Sequence, residues 1–173
     1  MHIKTNLYER TSTMPIKVGE ALPSAKFRVM TGEGPAWKTT DDIFKGKKVA
    51  LFAVPGAFTG TCHKMHVPSI VQNLAAIKAK GVDTVAVTAV NDVFVMDAWK
   101  KATAAEGVEF IADGNGEFAK AIDLVFDGSA GGLGSRSKRY AMLVDNGTVK
   151  VLNIEEAPGK VEVSGGDALL KAL

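Results

Sequence analysis

Two short, continuous apolar runs constrain the fold of this chain more than any other feature of the sequence. Residues 48–54 read KVALFAV and residues 84–90 read TVAVTAV, and neither run alternates regularly with charged residues. Such runs are typical of strands that are buried on both faces, as in the parallel sheets of α/β proteins. A helical pattern over residues 61–80, ended by Gly81, separates them. The sequence therefore predicts two parallel strands joined by a crossover helix.

The rest of the chain carries further helix and strand patterns. A helix begins at Asn91 or Asp92, either of which can cap it. The later patterns are a strand over 109–112, a helix over 115–122, strands over 140–144 and 148–154, and a last helix over 167–173. Asn146-Gly147 between the last two strands is a strong hairpin signal. This order predicts an α/β protein with a central mixed sheet flanked by helices, the layout of a thioredoxin-like fold, although periodicity alone leaves other α/β topologies open.

Length and charge exclude several classes of protein. The chain has 173 residues, and we expect residues 14–173 to form a single domain. The formal net charge is only +2, so the composition gives no reason to expect a nucleic-acid partner. No apolar run approaches the roughly 20 residues that a membrane-spanning helix needs, so no membrane association is expected.

The first 13 residues, MHIKTNLYERTST, are expected to be a disordered extension ahead of Met14. They have no apolar core of the kind found in secretory signal peptides, so we expect a cytoplasmic protein. Lys4, Arg10 and the threonines faintly resemble an organelle transit peptide, and an organelle location therefore stays open.

Cys62 is the only cysteine of the chain. A single cysteine excludes an intrachain disulfide, a zinc finger and an iron–sulfur site with four cysteine ligands. Cys62, His66 and a remote His2 are too few to hold a metal, so no metal site is predicted. The glycine-rich stretch over residues 128–134 lacks the ending of a phosphate-binding loop, and no bound cofactor is predicted.

The position of Cys62 favours a reactive thiolate. It lies in the first turn of the predicted helix, directly after the end of a buried strand. Free backbone N–H groups and the positive end of the helix dipole surround a sulfur at this place and favour its charged form. Thr59 could direct its hydroxyl toward the sulfur or its target, and Pro55, which has no N–H, could form an apolar wall.

Pro55, Thr59 and Cys62 form the pattern P-x-x-x-T-x-x-C within PGAFTGTC, which resembles the peroxidatic motif of the peroxiredoxins. Two further blocks, VNDVFVMDAW and SRSKRYAMLVDNGTV, are similar to the peroxiredoxin-5 (type II) subfamily. The resemblance covers residues 14–173 in order. It implies a thioredoxin-like fold and a thiol peroxidase that reduces hydrogen peroxide and organic hydroperoxides through a Cys62 sulfenic acid.

The resemblance also implies a catalytic arginine from a strand that is remote in sequence. The matching position is Arg139, directly before the aromatic Tyr140. Strand alternation gives independent support, because Arg139 shares a face with Ala141 and Leu143. Arg136 stays open as a second, outer cation.

Many members of the subfamily carry a second cysteine, in the strand matching residues 84–90 or near Val163 and Ser164, where this chain has none. The chain is therefore expected to be a one-cysteine form that needs an external thiol. Glutathione with glutaredoxin is slightly favoured, and thioredoxin acting directly on Cys62 is the alternative. The resemblance further implies a homodimer.

Two other functions start from the same cysteine. A peroxide-sensing or chaperone-like redox protein would form the same Cys62 sulfenic acid, so the sequence does not separate it from a peroxidase. Cys62 and His66 share a helix face, which could serve a cysteine hydrolase, but such enzymes also need a third group that orients the base. His63 points about 100° away from Cys62 and is expected to be exposed. Pro68 predicts a kink over residues 64–67.

Overall fold

The computed structural model of the protein describes residues 14–173; the predicted disordered extension, residues 1–13, lies outside the described residues. The strands are β1 (Lys26–Thr31), β2 (Gly34–Thr39), β3 (Lys48–Ala53), β4 (Thr84–Ala89), β5 (Glu109–Ala112), β6 (Val125–Asp127), β7 (Ser135–Ser137), β8 (Tyr140–Asp145) and β9 (Thr148–Ile154). The α-helices are α1 (Thr40–Phe44), α2 (Val67–Ala79), α3 (Val93–Ala102), α4 (Glu117–Ala121) and α5 (Gly166–Lys171). A π-helical turn (Cys62–His66) precedes α2, and a 3₁₀ turn (Ser129–Gly131) follows β6.

Seven strands form one mixed sheet in the order β2-β1-β5-β4-β3-β8-β9. The pairs β3–β4 and β4–β5 are parallel, and β8 runs antiparallel to both β3 and β9. The predicted crossover and the predicted hairpin are therefore confirmed. At the hairpin, Asn146 and Gly147 have φ angles of 48° and 80°, the left-handed conformations that a two-residue turn between twisted strands requires.

The central strands are apolar throughout because both faces of the sheet are covered. Alternate residues of β3 enter two different clusters, with Ala50 and Phe52 on one face and Val49 and Leu51 on the other. Helices α2, α3 and α5 contribute apolar side chains to the first cluster, and α1 and α4 contribute to the second. This double burial explains the continuous apolar runs in the sequence.

Two parts of the architecture carry no clear sequence signal. The hairpin of β1 and β2 stands at an edge of the main sheet, and β2 is only partly buried. The short strands β6 and β7 form a separate two-stranded sheet, joined through the glycine-rich stretch over residues 128–134. Short, half-exposed strands lack the continuous apolar pattern that marks β3 and β4, so they were not predicted.

The predicted helix over residues 61–80 exists, but its first part is not an α-helix. The chain becomes helical at Gly60, passes through the π-helical turn and becomes regular at Val67. Pro68 lies in the first turn of α2, where its missing N–H is tolerated. The irregularity predicted near this proline is thus present, as a widened turn that spans Cys62 to His66.

Among residues 14–173, no helix is both long and apolar enough to cross a bilayer. This agrees with the apolar runs of the sequence, which are short and lie in strands of the sheet.

The buried hydroxyl of Thr88 in β4 offers a substitution that we expect to stabilise the fold. It is 2% exposed, and its hydroxyl oxygen has no hydrogen-bond partner among the described residues. Exchange for the isosteric valine removes a buried, unpaired polar group, so we expect Thr88→Val to raise the free energy of unfolding by about 1 kcal/mol. Urea unfolding measures the change.

The same exchange at Thr84, a half-buried residue of the same strand, provides the control. We expect Thr84→Val to change the free energy of unfolding by less than about 0.5 kcal/mol. A loss of stability in Thr88→Val would mean that the hydroxyl has a partner, such as an ordered water.

Candidate active site

Cys62 lies where the chain leaves β3 and begins its first long helix. The turn between them contains Phe58 at φ 62°, a left-handed conformation that is strained for an aromatic residue. Asn91 fixes this turn, because its side-chain oxygen accepts the Ala57 N–H at 2.9 Å. The Cys62 side chain is 1% exposed and belongs to the apolar cluster formed with Phe52 of β3. The sulfur is therefore held at the end of a strand, in an apolar surrounding.

Arg139 reaches this sulfur from the start of β8. Its Nη2 donates a hydrogen bond to the Cys62 Sγ at 3.0 Å, and the residue is only 2% exposed. Ala141 and Leu143 lie in the same cluster as Cys62, so the face predicted for Arg139 from strand alternation is the face observed. The carbonyl of Pro158 accepts hydrogen bonds from Arg139 Nε at 3.0 Å and Nη2 at 2.8 Å.

His66 completes the surroundings of the guanidinium. Its Nε2 donates to the Ser164 carbonyl at 2.7 Å, since a carbonyl only accepts. This assigns the proton to Nε2, and Nδ1 then accepts a hydrogen bond from Arg139 Nη1 at 2.9 Å. Burial, together with the Arg139 charge, lowers the pKa of His66 from 6.5 to about 4. His66 is thus neutral at neutral pH, and both of its ring nitrogens are engaged away from the sulfur, which argues against a hydrolase base.

Thr59 and Pro55 lie in the turn before Cys62. The Thr59 hydroxyl donates to the Gly56 carbonyl at 2.6 Å, so its proton is not directed at the Cys62 sulfur. Its oxygen keeps the capacity to accept a hydrogen bond. Pro55 is buried, as an apolar wall would be.

Arg136 lies outside the network around the sulfur. Its Nε donates to the Leu133 carbonyl at 2.9 Å, and its Nη1 donates to the Val90 carbonyl at 3.3 Å. A Cβ atom at Gly56 would stand 3.2 Å from this Nη1, so Arg136 packs against the turn that precedes Cys62. A glycine at position 56 allows this close approach.

The structure adds residues that sequence reasoning missed. His63 is half-buried, so the prediction that it is exposed is wrong. The reason is that the Trp99 Nε1–H donates to His63 Nδ1 at 3.1 Å, while the Phe58 ring stacks on the imidazole at 5.9 Å between centroids. Ser164 and Glu155 were also missed, because they approach His66 from a segment about 90 residues away in sequence, and no local pattern signals such contacts.

The chain resembles known proteins over nearly its whole length. It matches the Redoxin family over residues 17–170. It is 45% identical to Peroxiredoxin-2C of Oryza sativa subsp. japonica over 161 residues, which cover 92% of this chain and 99% of that protein. It superposes on reduced Prx3 from Vibrio vulnificus in complex with H2O2 with a TM-score of 0.87 and 47% identity, over 91% of this chain and 98% of that one.

Two further relatives are organellar proteins by name. The mitochondrial Peroxiredoxin-2F of Oryza sativa subsp. japonica is 46% identical over 130 residues, which cover 75% of this chain and 66% of that protein. The chloroplastic Peroxiredoxin-2E of Arabidopsis thaliana is 43% identical over 167 residues, which cover 93% of this chain and 70% of that protein.

The protein has a mixed sheet flanked by helices, and its cysteine lies in the first helical turn after a central strand. These features define a thioredoxin-like redox protein of the Redoxin class. Within this class, the chain belongs to the peroxiredoxin family. It is a thiol-dependent peroxidase, and its single cysteine makes it a one-cysteine form. Members of the family reduce peroxides at the expense of a thiol and need no prosthetic group. Among the described residues, no group of three or more His, Cys, Asp or Glu side chains could hold a metal ion.

The lowered pKa of His66 gives a testable prediction. With a pKa of about 4, the ring stays neutral with its proton on Nε2 between pH 5 and 8. Nitrogen-15 NMR of the imidazole measures this directly, and a His66→Gln variant assigns the signals. Titration of the folded protein near 6.5 would contradict the buried, Arg139-contacted geometry.

The lowered pKa of His66 also makes the stability of the fold depend on pH. Between the folded pKa of about 4 and the ordinary 6.5, the unfolded chain binds a proton at this histidine that the folded protein does not bind. His66 therefore makes the free energy of unfolding fall as the pH is lowered through this range.

Proposed function

We propose that Cys62 is the peroxidatic nucleophile and that Arg139, Thr59 and Pro55 complete its active site. One observation carries the proposal, namely the hydrogen bond of 3.0 Å from Arg139 Nη2 to the Cys62 sulfur in a buried surrounding. A permanently charged donor at this distance favours a thiolate acceptor, because charge-assisted hydrogen bonds are stronger than neutral ones. The N–H groups of the Arg139 guanidinium stay in place while negative charge moves from the sulfur to the substrate.

In the first half of the cycle, a lone pair of the Cys62 thiolate attacks the terminal oxygen of a hydroperoxide. The S–O bond forms as the O–O bond breaks, and the electron pair of that bond leaves on the second oxygen. This oxygen takes up a proton to become water or an alcohol, while Cys62 is oxidised to the sulfenic acid. Arg139 stabilises the negative charge along this path, together with the backbone N–H groups at the start of the helix.

Thr59 and Pro55 have supporting roles in this proposal. Because the Thr59 hydroxyl donates to Gly56, its free lone pair can accept the O–H of the hydroperoxide and so orient it. Pro55 offers no N–H that could hold water next to the sulfur. Arg136, held by backbone carbonyls beside the same turn, acts as an outer cation at most.

The second half of the cycle needs a thiol from another molecule, since the chain has no second cysteine. A thiolate attacks the Cys62 sulfenic sulfur, the S–O bond breaks, and the leaving hydroxide takes up a proton to become water. A second thiolate then attacks the sulfur of the first thiol in the mixed disulfide and releases the Cys62 thiolate. We favour glutathione with glutaredoxin over thioredoxin as the source of these thiols. Hydrogen peroxide and organic hydroperoxides are both proposed substrates.

The reductant is testable by mass spectrometry and turnover. After one equivalent of peroxide, glutathione is expected to form an adduct on Cys62 that glutaredoxin removes, giving steady turnover. Thioredoxin with its reductase, assayed in parallel, is expected to be slower. Faster turnover with thioredoxin and no glutathione adduct would reverse this assignment.

We further propose a domain structure, an assembly and a location for the protein. Residues 14–173 act as a single domain, and two copies form a homodimer, as the subfamily resemblance implies. The exposed aromatic Phe94, 65% accessible at the start of α3, is available for such an interface. We propose a cytoplasmic location, and an organelle is the alternative, since similar proteins include mitochondrial and chloroplastic forms.

Rapid mixing with hydrogen peroxide tests the catalytic roles. We expect Cys62→Ser to abolish sulfenic acid formation. Removing one oriented donor typically costs about 2.7–4 kcal/mol of barrier, so Arg139→Ala is expected to slow the peroxide step by about 10²–10³-fold. Thr59→Val is expected to be slower than Thr59→Ser, which keeps the hydroxyl.

The matched control is Lys138→Ala, which removes an exposed cation next to Arg139. It should leave the peroxide step unchanged. A wild-type rate no faster than that of a free cysteine, or an unaffected rate in Arg139→Ala, would contradict the proposed site.

A further inference from the structure

The segment that joins β9 to α5 forms one side of the network around Arg139. We call residues 155–164 the strap. Its first N–H, that of Glu155, donates to the Arg139 carbonyl at 3.0 Å. The Pro158 carbonyl in its middle accepts from the Arg139 guanidinium, and the Ser164 carbonyl at its end accepts from His66. The strap therefore supplies one acceptor of the guanidinium directly, the Pro158 carbonyl, and holds a second acceptor, His66, through the Ser164 carbonyl.

Glu155 organises the strap from within. One oxygen of its carboxylate, Oε1, accepts the backbone N–H groups of Glu162, Val163 and Ser164 at 2.6, 2.7 and 2.9 Å. The same oxygen also accepts the Ser164 hydroxyl at 2.9 Å. Three successive N–H groups that converge on one oxygen fold the end of the strap around the carboxylate.

The charge of Glu155 is maintained by these contacts. Partial burial would raise the pKa of its carboxyl, but the hydrogen bonds from Val163, Ser164 and Glu162 outweigh burial and hold the pKa below its usual range. The carboxylate is thus ionised at neutral pH, and a charged acceptor strengthens each of the bonds that it receives.

From these contacts we propose that Glu155 is a positioning residue for the peroxidase reaction. Its carboxylate holds Ser164 so that the Ser164 carbonyl accepts the hydrogen bond from His66 Nε2. His66 Nδ1 in turn accepts a hydrogen bond from Arg139 Nη1. The guanidinium is thereby held with Nη2 directed at the Cys62 sulfur. Glu155 itself does not touch the reacting atoms. This inference rests on the proposed role of Arg139 in the reaction.

The start of α5, directly after the strap, is anchored independently of Glu155. Beyond the strap, the Gly166 N–H donates to the Ser69 hydroxyl at 3.0 Å, and a Cβ on Gly166 would lie 2.4 Å from the Ser69 carbonyl oxygen. The start of α5 is thus packed directly against the backbone of α2. For this reason we expect the fold to survive loss of the Glu155 carboxylate, while the end of the strap, residues 162–164, loosens.

Substitutions of Glu155 test the proposal. Glu155→Ala removes the acceptor, and a displacement of the order of 1 Å at a reacting group can cost up to about 10²-fold in rate, so we expect the peroxide step to slow by roughly 10–100-fold. Glu155→Gln keeps an amide oxygen in the same place and is expected to recover most of the rate. Glu156→Ala, which removes the exposed neighbouring carboxylate, is the control and should react like the wild type.

A double-mutant cycle separates positioning from a general structural effect. If Glu155 acts through Arg139, Glu155→Ala should slow the peroxide step no further in an Arg139→Ala background. A full 10–100-fold loss in that background, or a wild-type rate in Glu155→Ala alone, would overturn the proposal. Failure of Arg139→Ala itself to slow the reaction would instead refute the proposed function.

Circular dichroism of Glu155→Ala accompanies the kinetics. It establishes that the variant is folded, so that a loss of rate in Glu155→Ala is not a loss of fold.

Discussion

The hydrogen bond from the Arg139 guanidinium to the Cys62 sulfur is the interaction on which the rest of the site depends. Both residues are almost completely buried, at 2% and 1% exposure, so the guanidinium depends on hydrogen-bond partners inside the protein. The Pro158 carbonyl and the neutral His66 ring provide them. The result is a connected polar network inside an apolar cluster, in which loss of one member leaves another unsatisfied.

The sheet topology explains why these groups meet. β3 ends at Ala53, and its neighbour β8 begins at Tyr140, with these two residues paired in the antiparallel register. Arg139 therefore precedes β8 at the same edge of the sheet at which the chain leaves β3 toward Cys62. A parallel β8 would carry this arginine to the opposite edge.

Much of this arrangement follows from local patterns. The apolar runs predicted β3 and β4, the Asn-Gly pair predicted the β8–β9 hairpin, and Asp92 caps α3, as one of the two candidates considered. The cysteine was expected in the first helical turn after β3 and is found there. The edge hairpin β1–β2 was missed because strands that are half-exposed depend on their neighbours more than on their own pattern.

The sequence by itself determined the order of strands and helices, the single cysteine at a helix start and the motif of Pro55, Thr59 and Cys62. It did so because periodicity, turn residues and spacing act over a few residues. Only the tertiary structure decided that His66 is a neutral acceptor for Arg139 and that His63 is covered by Trp99. It alone folded the end of the strap, residues 162–164, onto the Glu155 carboxylate. The contacts of His66 with Arg139 and of His63 with Trp99 join residues 73 and 36 positions apart, and such contacts are fixed by the packing of strands and helices rather than by any local pattern.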